Sequence, residues 1–191
     1  MKTAESNFQN LKDLIERSRF LVPMVTKIGD GIVDCLDGGN KVLTCGNGGS
    51  AAQSLHFAEE LVGRYDGDRR SLPSICLAGD VPLMSCIAND YGWEHVFSRA
   101  LEGIGQEGDL LLAFSTSGNS ANVIRALKTA HRIGVESILL SGESGGNCAK
   151  IADHLLLVPS TDTARIQEMH TLIYHTWLDR IEFEFTNGKP T

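Results

Sequence analysis

The chain has 191 residues and a formal net charge of −7 at pH 7. That length suffices for one domain with a sizeable core. The charge argues against a general nucleic-acid or membrane-surface binder, since both need clustered positive charge. No apolar run approaches the ~20 residues of a membrane span, and the opening MKTAESNFQN lacks the apolar core of a signal peptide. Cys35, Cys45, Cys76, Cys86 and Cys148 are odd in number, scattered and mostly within apolar runs. This is the pattern of reduced, buried thiols in a cytoplasmic protein, not of a disulfide framework.

In chain order, residues 6–36 carry apolar side chains every three or four positions, which predicts helix, and Pro23 is expected to divide it in two. Gly38-Gly39-Asn40 should end the second helix. Residues 41–45 (KVLTC) have the length and apolarity of a strand and lead into Gly46-Asn47-Gly48-Gly49-Ser50. Glycines there let the backbone approach a ligand closely, and Ser50 can cap the helix that follows. That helix, 51–65, carries His56, Glu60 and Arg64 four positions apart along one face. The spacing alone fits an ordinary solvated face. A charged loop (66–70), a strand (74–78) and a helical segment (81–88) come next, with Asn89-Asp90 expected to end the segment and helix resuming over 93–104.

Residues 109–120, DLLLAFSTSGNS, are the centre of the pattern. Leu110 to Phe114 form an unbroken apolar run, as expected of a strand buried on both faces of a parallel sheet. Ser115, Thr116, Ser117 and Ser120 then place four hydroxyls beside the start of a helix, ANVIRALKTAHRIG. One hydroxyl would serve as a cap. Four, together with free backbone N–H groups and the positive end of a helix dipole, suit a phosphate monoester. A strand over 137–140, a glycine-rich turn (142–146), a short helix and a last strand over 155–158 follow. The closing helix, about 162–185, interleaves Arg165, Gln167, Glu168, His170 and His175 with apolar residues, as in a helix buried on more than one side at a subunit interface. For either histidine taken alone, a satisfied interface residue is the plainer reading. The alternation predicts about five parallel strands with helices on both faces. Glycine-rich turns after two strands of one sheet would converge on one crevice.

CGNGGSA, HFAEELVGRY, SCIAND, STSGNSANVI and ARIQEMH, in this order and spacing, resemble the sugar isomerase (SIS) family, and within it the members that act on a seven-carbon ketose phosphate. The resemblance runs from about residue 39 to 180. It implies an α/β fold, a three-layer αβα sandwich with a mostly five-stranded parallel, flavodoxin- or Rossmann-like sheet. One SIS domain would span 1–191, with an N-terminal helical segment (1–38), an α/β core (39–160) and a C-terminal interface helix (161–186). It also implies a cytoplasmic homotetramer with active sites between subunits.

The activity implied is conversion of sedoheptulose 7-phosphate to an aldose phosphate through an enediol, opening bacterial heptose synthesis, with no nucleotide, nucleic acid or membrane partner. Residue by residue, Ser115, Thr116, Ser117 and Ser120 fall on phosphate-binding positions. Asn47, Gly48, Gly49, Ser50, Arg64, Asn89, Asp90 and Gln167 fall on the remaining substrate-binding positions. Glu60 and His175 match the catalytic pair. His56, Glu60, Gln167 and His175 match the ligands of members that bind one Zn2+ per subunit. Ala164 stands where many members have an acidic residue. The competing class is a binding module, either a sugar-phosphate sensor or a non-catalytic relative that engages the replication initiator. That relative lacks the carboxylate and the histidine kept here as Glu60 and His175.

Overall fold

The computed structural model describes residues 3–187, in which five parallel strands alternate with helices. Helices α1 (Ala4–Arg17) and α2 (Val22–Asp37) lead into β1 (Val42–Gly46), α3 (Gly49–Val62), β2 (Ser74–Cys76), α4 (Val81–Tyr91) and α5 (Val96–Ile104). Strand β3 (Leu110–Ser115), α6 (Ala121–Ile133), β4 (Glu136–Gly142), β5 (His154–Val158) and α7 (Thr163–Asn187) complete the chain. The strand order is β2-β1-β3-β4-β5, with Leu43 beside Ile75 on one side and Leu111 on the other.

The apolar runs form strands because both faces of the sheet are covered. Val42, Leu110, Leu112, Phe114, Ile138 and Leu140 point into a core shared with α1, α2, α3 and α7. The alternate residues Leu43, Cys45, Leu111, Ala113 and Leu139 point into a second core with α5 and α6. This is the three-layer αβα arrangement the alternation predicts. Trp177 of α7 is almost wholly buried and donates its indole N–H to the Val25 carbonyl at 2.8 Å, tying α7 to α2.

Several boundaries differ from the sequence reading. The first helical stretch breaks at Ser18 and a 3-10 turn, Arg19–Leu21, while Pro23 sits in the first turn of α2, where its missing N–H costs nothing. Asn89 and Asp90 do not end α4, which continues to Tyr91 and stops at Gly92. The Ser50 capping role fails: Gly48 occupies the N-cap position and Ser50 is buried in the first turn of α3. Strand β2 pairs only over Ser74–Cys76, and the short helix before β5 is a 3-10 turn, Cys148–Lys150. The five cysteines are free, but Cys86 is exposed and Cys76 half-buried, so burial holds for three of them. Among the described residues, no helix is long and apolar enough to cross a membrane.

The sheet positions the site. Chain direction across the sheet reverses between β1, whose sequel lies outward at β2, and β3, whose sequel lies outward at β4. The loops leaving the carboxyl ends of β1 and β3 therefore part at a switch point, where a doubly wound sheet leaves a crevice.

Candidate active site

The two glycine-rich loops meet as expected. After β1, Asn47 exchanges two side-chain hydrogen bonds with Asn122 in the first turn of α6: each amide nitrogen donates to the other's oxygen at 2.8 Å. After β3, Gly118 adopts φ +63°, and any Cβ there would overlap the Gly145 carbonyl, so the loop closes against the turn that follows β4. Asn119 fastens that contact, accepting hydrogen bonds on its side-chain oxygen from the Asn147 backbone and side-chain amides at 3.1 and 3.0 Å.

Within this frame the hydroxyls remain available. Ser120 is the N-cap of α6 yet makes no capping hydrogen bond. The Ser115 hydroxyl is buried without a protein partner. Ser117 is exposed and its hydroxyl accepts only a 3.2 Å bond from the Asn119 N–H, and Thr116 is half-buried. Hydroxyls without strong internal partners, at the N-terminus of a 13-residue helix, offer donors and a favourable dipole to a dianion.

A second cluster lies along α3 and α7. The two helices run side by side in matched register. Gln167 lies over Gly49, where an added Cβ would be 2.5 Å from its side-chain nitrogen. One turn on, Gln53 donates its amide to the Gln167 carbonyl at 2.7 Å and to the Thr171 hydroxyl at 2.9 Å. Farther along, His56 Nε2 is 3.1 Å from Glu60 Oε1, and His56 Nδ1 is 2.8 Å from the Tyr174 hydroxyl. The His175 ring stands edge-on to His56, with centroids 5.4 Å apart. His56, Glu60 and His175 are thus brought into one cluster. Ligand atoms of His56, Glu59 and Glu60 lie within 4.8 Å of one another, a nitrogen-and-carboxylate set that suits a zinc ion. Glu59 was not anticipated, and Gln167 faces the glycine loop rather than this group.

Other expected residues lie elsewhere. Arg64 is not on a helix face with Glu60, because α3 ends at Val62 and Arg64 is exposed beyond Gly63. The arginine that reaches this helix end is Arg69, which donates to the Glu60 and Leu61 carbonyls at 2.7 and 3.0 Å. Asn89 and Asp90 are exposed on the last turn of α4, where Asn89 donates to Asp90 at 2.7 Å. Among the described residues, no hydrogen bond ties them to either glycine loop.

Asn119, Asn122, Tyr174 and Arg69 were missed for different reasons. Asn119 stands inside the hydroxyl-rich loop and Asn122 in the first turn of the helix that follows, and amides so placed are themselves a signal. Tyr174 had the look of a core aromatic, and Arg69 that of a solvated loop charge.

Comparison with known proteins agrees with this architecture. The family model described as "SIS domain" matches residues 8–142, a span that stops short of α7. A relative named phosphoheptose isomerase 1, from Campylobacter jejuni, is 48% identical over 181 residues, covering 95% of this chain and 97% of the relative. The solved phosphoheptose isomerase of Neisseria gonorrhoeae superposes with a TM-score of 0.88 at 40% identity, covering 93% of this chain and 96% of that one. That of Francisella tularensis gives 0.89 at 37% identity, covering 93% and 95%. These matches reach into α7, and with them the chain belongs to the SIS family, in its phosphoheptose isomerase branch.

Proposed function

We infer that the chain is an aldose–ketose isomerase that converts sedoheptulose 7-phosphate to D-glycero-D-manno-heptose 7-phosphate. The observation that carries this is likeness to phosphoheptose isomerases along nearly the whole chain, coupled with glycine-rich loops joined across the β1/β3 crevice. A base takes a proton from C1 of the ketose to give a 1,2-enediol, and a proton returns to C2. A second group moves a proton between O1 and O2, so no redox partner or nucleotide is consumed. Glu60 is the base in this reading. Its carboxylate is largely shielded and braced by His56. His175, beside His56, is the group that serves the oxygens.

The four hydroxyls of Ser115, Thr116, Ser117 and Ser120 hold the phosphate, and that anchor keeps C1 and C2 in register with the base. Asn47, Gly48, Gly49, Ser50 and Gln167 line the approach from β1. Glu60 lies ~16 Å down the α3 axis from Gly49, at 1.5 Å per residue. This separation between the glycine loop and the base supports an active site shared between subunits of a homotetramer, with Arg64, Asn89 and Asp90 facing a neighbour's substrate. Native mass spectrometry tests the assembly, and a monomer at working concentration contradicts it.

A zinc ion belongs to the same reading, held by His56 and Glu60 and completed by His175 or Glu59, with Gln167 turned to the glycine loop instead. When bound, such an ion supplies Lewis-acid stabilisation of charge on the C1 and C2 oxygens. Elemental analysis of the purified protein and of His56→Ala tests the ion, and equal zinc in both places it elsewhere.

The function itself is tested by comparing sedoheptulose with its 7-phosphate as substrates. Removing the phosphate should cut kcat/KM by several orders of magnitude, because hydrogen bonds to a charged group contribute ~1.5–3 kcal/mol each. Equal turnover of the two sugars would remove the clamp from the account.

A further inference from the structure

His56 is held at both ring nitrogens, and the partner on the far side from Glu60 is a buried phenol. Tyr174 is 1% exposed. Its ring is packed edge-on against Phe57, Phe114 and His175, with centroids 6.1, 6.2 and 4.8 Å away. The hydroxyl reaches His56 Nδ1 at 2.8 Å, with the Thr171 side chain one turn back on α7 as its other hydrogen-bonding neighbour. On the other side, the 3.1 Å contact from His56 Nε2 ends on a carboxylate oxygen of Glu60. An ionised carboxylate only accepts, so a neutral His56 must carry its proton on Nε2. Nδ1 is then an acceptor, and the Tyr174 O–H donates to it.

We propose that Tyr174 is a positioning residue for the isomerisation: its hydroxyl fixes the ring plane and tautomer of His56, and through His56 the orientation of the Glu60 carboxylate. The inference rests on the reading of Glu60 as the base. It adds a residue with no place in the catalytic, metal or substrate sets named above. Tyr174 touches neither substrate nor reacting atoms in this account. It acts by removing the freedom His56 would otherwise have, being half-exposed on the face of α3. Outer hydrogen-bond partners of an imidazole typically change activity or metal affinity 10- to 100-fold when removed.

The test uses the full-length protein and Tyr174→Phe, which keeps the ring and its packing and deletes one oxygen. Long-range proton–nitrogen NMR of the zinc-free protein, at a pH where His56 is neutral, reports its tautomer, with the signal assigned by its loss in His56→Gln. The native protein should show the Nε2–H form alone, and Tyr174→Phe a mixture. In parallel, kcat in Tyr174→Phe should fall roughly 10-fold or more with KM for the sugar phosphate within about twofold, because the phosphate clamp is untouched. A native His56 carrying its proton on Nδ1 overturns the proposal, even if the variant fails to fold. So does Tyr174→Phe with an unchanged tautomer and unchanged kcat, or with KM and kcat shifted together alongside a lowered melting point. A native protein that shows the fixed tautomer but does not turn over sugar phosphate overturns the catalytic reading instead, and the two failures are thereby told apart.

Discussion

His170 and His175 lie on the same helix and have the same side chain, yet their surroundings assign them different work. His170 is fully buried, its Nε2 lies 3.4 Å from the Ser141 carbonyl and its Nδ1 has no protein partner. Burial, only partly opposed by the bond to Ser141, pushes its pKa from 6.5 down to about 4. A ring neutral at working pH and buried within the chain is a packing residue of the core, not the satisfied interface histidine that its sequence position suggested. The consequence for stability has a definite sign. The unfolded chain takes up the proton near pH 6.5 while the folded one resists until about 4. Stability due to His170 is therefore complete above about 6.5 and declines as the pH falls through that window, by at most about 1.4 kcal/mol per unit. Urea unfolding at stepped pH should show a shallower acid loss in His170→Asn than in the native protein, and parallel curves would contradict the assignment. The phosphate loop makes a second prediction at this scale. Replacing Ser117 and Ser120 together with alanine should raise KM by about 100-fold or more, at ~1.5–3 kcal/mol per lost bond, with kcat less affected. An unchanged KM would place the phosphate elsewhere. These hydroxyls were legible because four of them crowd a helix start. The Asn47–Asn122 bridge was not, because it joins residues far apart in the chain that only the sheet order brings together.

Helix α3 shows why element type was easier to read than element ends. Its apolar residues Phe57 and Leu61 and the glycine turn before it announce a helix packed on the sheet, and Gly63 is the C-cap that ends it at Val62. That end is reinforced from outside the helix. Arg69, with a side chain 1% exposed, donates to the Glu60 and Leu61 carbonyls at the helix end and pairs with Glu182 of α7 at 2.8 Å. Glu182 also accepts the Gly67 N–H at 2.7 Å. The last turn that carries Glu60 is thus pinned to α7 through one guanidinium. Arg69→Ala leaves Glu182 as an unpaired buried carboxylate and should cost about 3–5 kcal/mol, measured by chemical unfolding. Arg69→Lys should recover only part, since an ammonium cannot reproduce the fork that serves three carbonyls and a carboxylate. Full stability in Arg69→Ala would show that the helix end is held by other contacts. The same reasoning explains Arg64: a four-residue spacing places two side chains on one face only while the helix lasts.

Across the whole molecule, the parallel sheet, its two apolar cores and the crevice follow from the alternation of short apolar runs with amphipathic helices. The placement of the chemistry does not follow from pattern alone. The four hydroxyls lie at the carboxyl end of β3 and the His56–Glu60–His175 cluster lies well along α3 and α7, and the proposal of a site shared between subunits rests on that separation. Exposed apolar side chains on the helical face, including Phe8, Phe20 and Leu172, are the surfaces such an assembly would cover. The central claim is that Glu60 performs proton transfer between C1 and C2 of a phosphorylated seven-carbon ketose. The most direct measurement is NMR of sedoheptulose 7-phosphate incubated in deuterated water with the native protein and with Glu60→Gln. The account predicts an aldose heptose 7-phosphate bearing solvent deuterium at C2 with the native protein, and a rate reduced by several orders of magnitude with Glu60→Gln. Failure of the native protein to form the aldose, or formation at the native rate by Glu60→Gln, would contradict it.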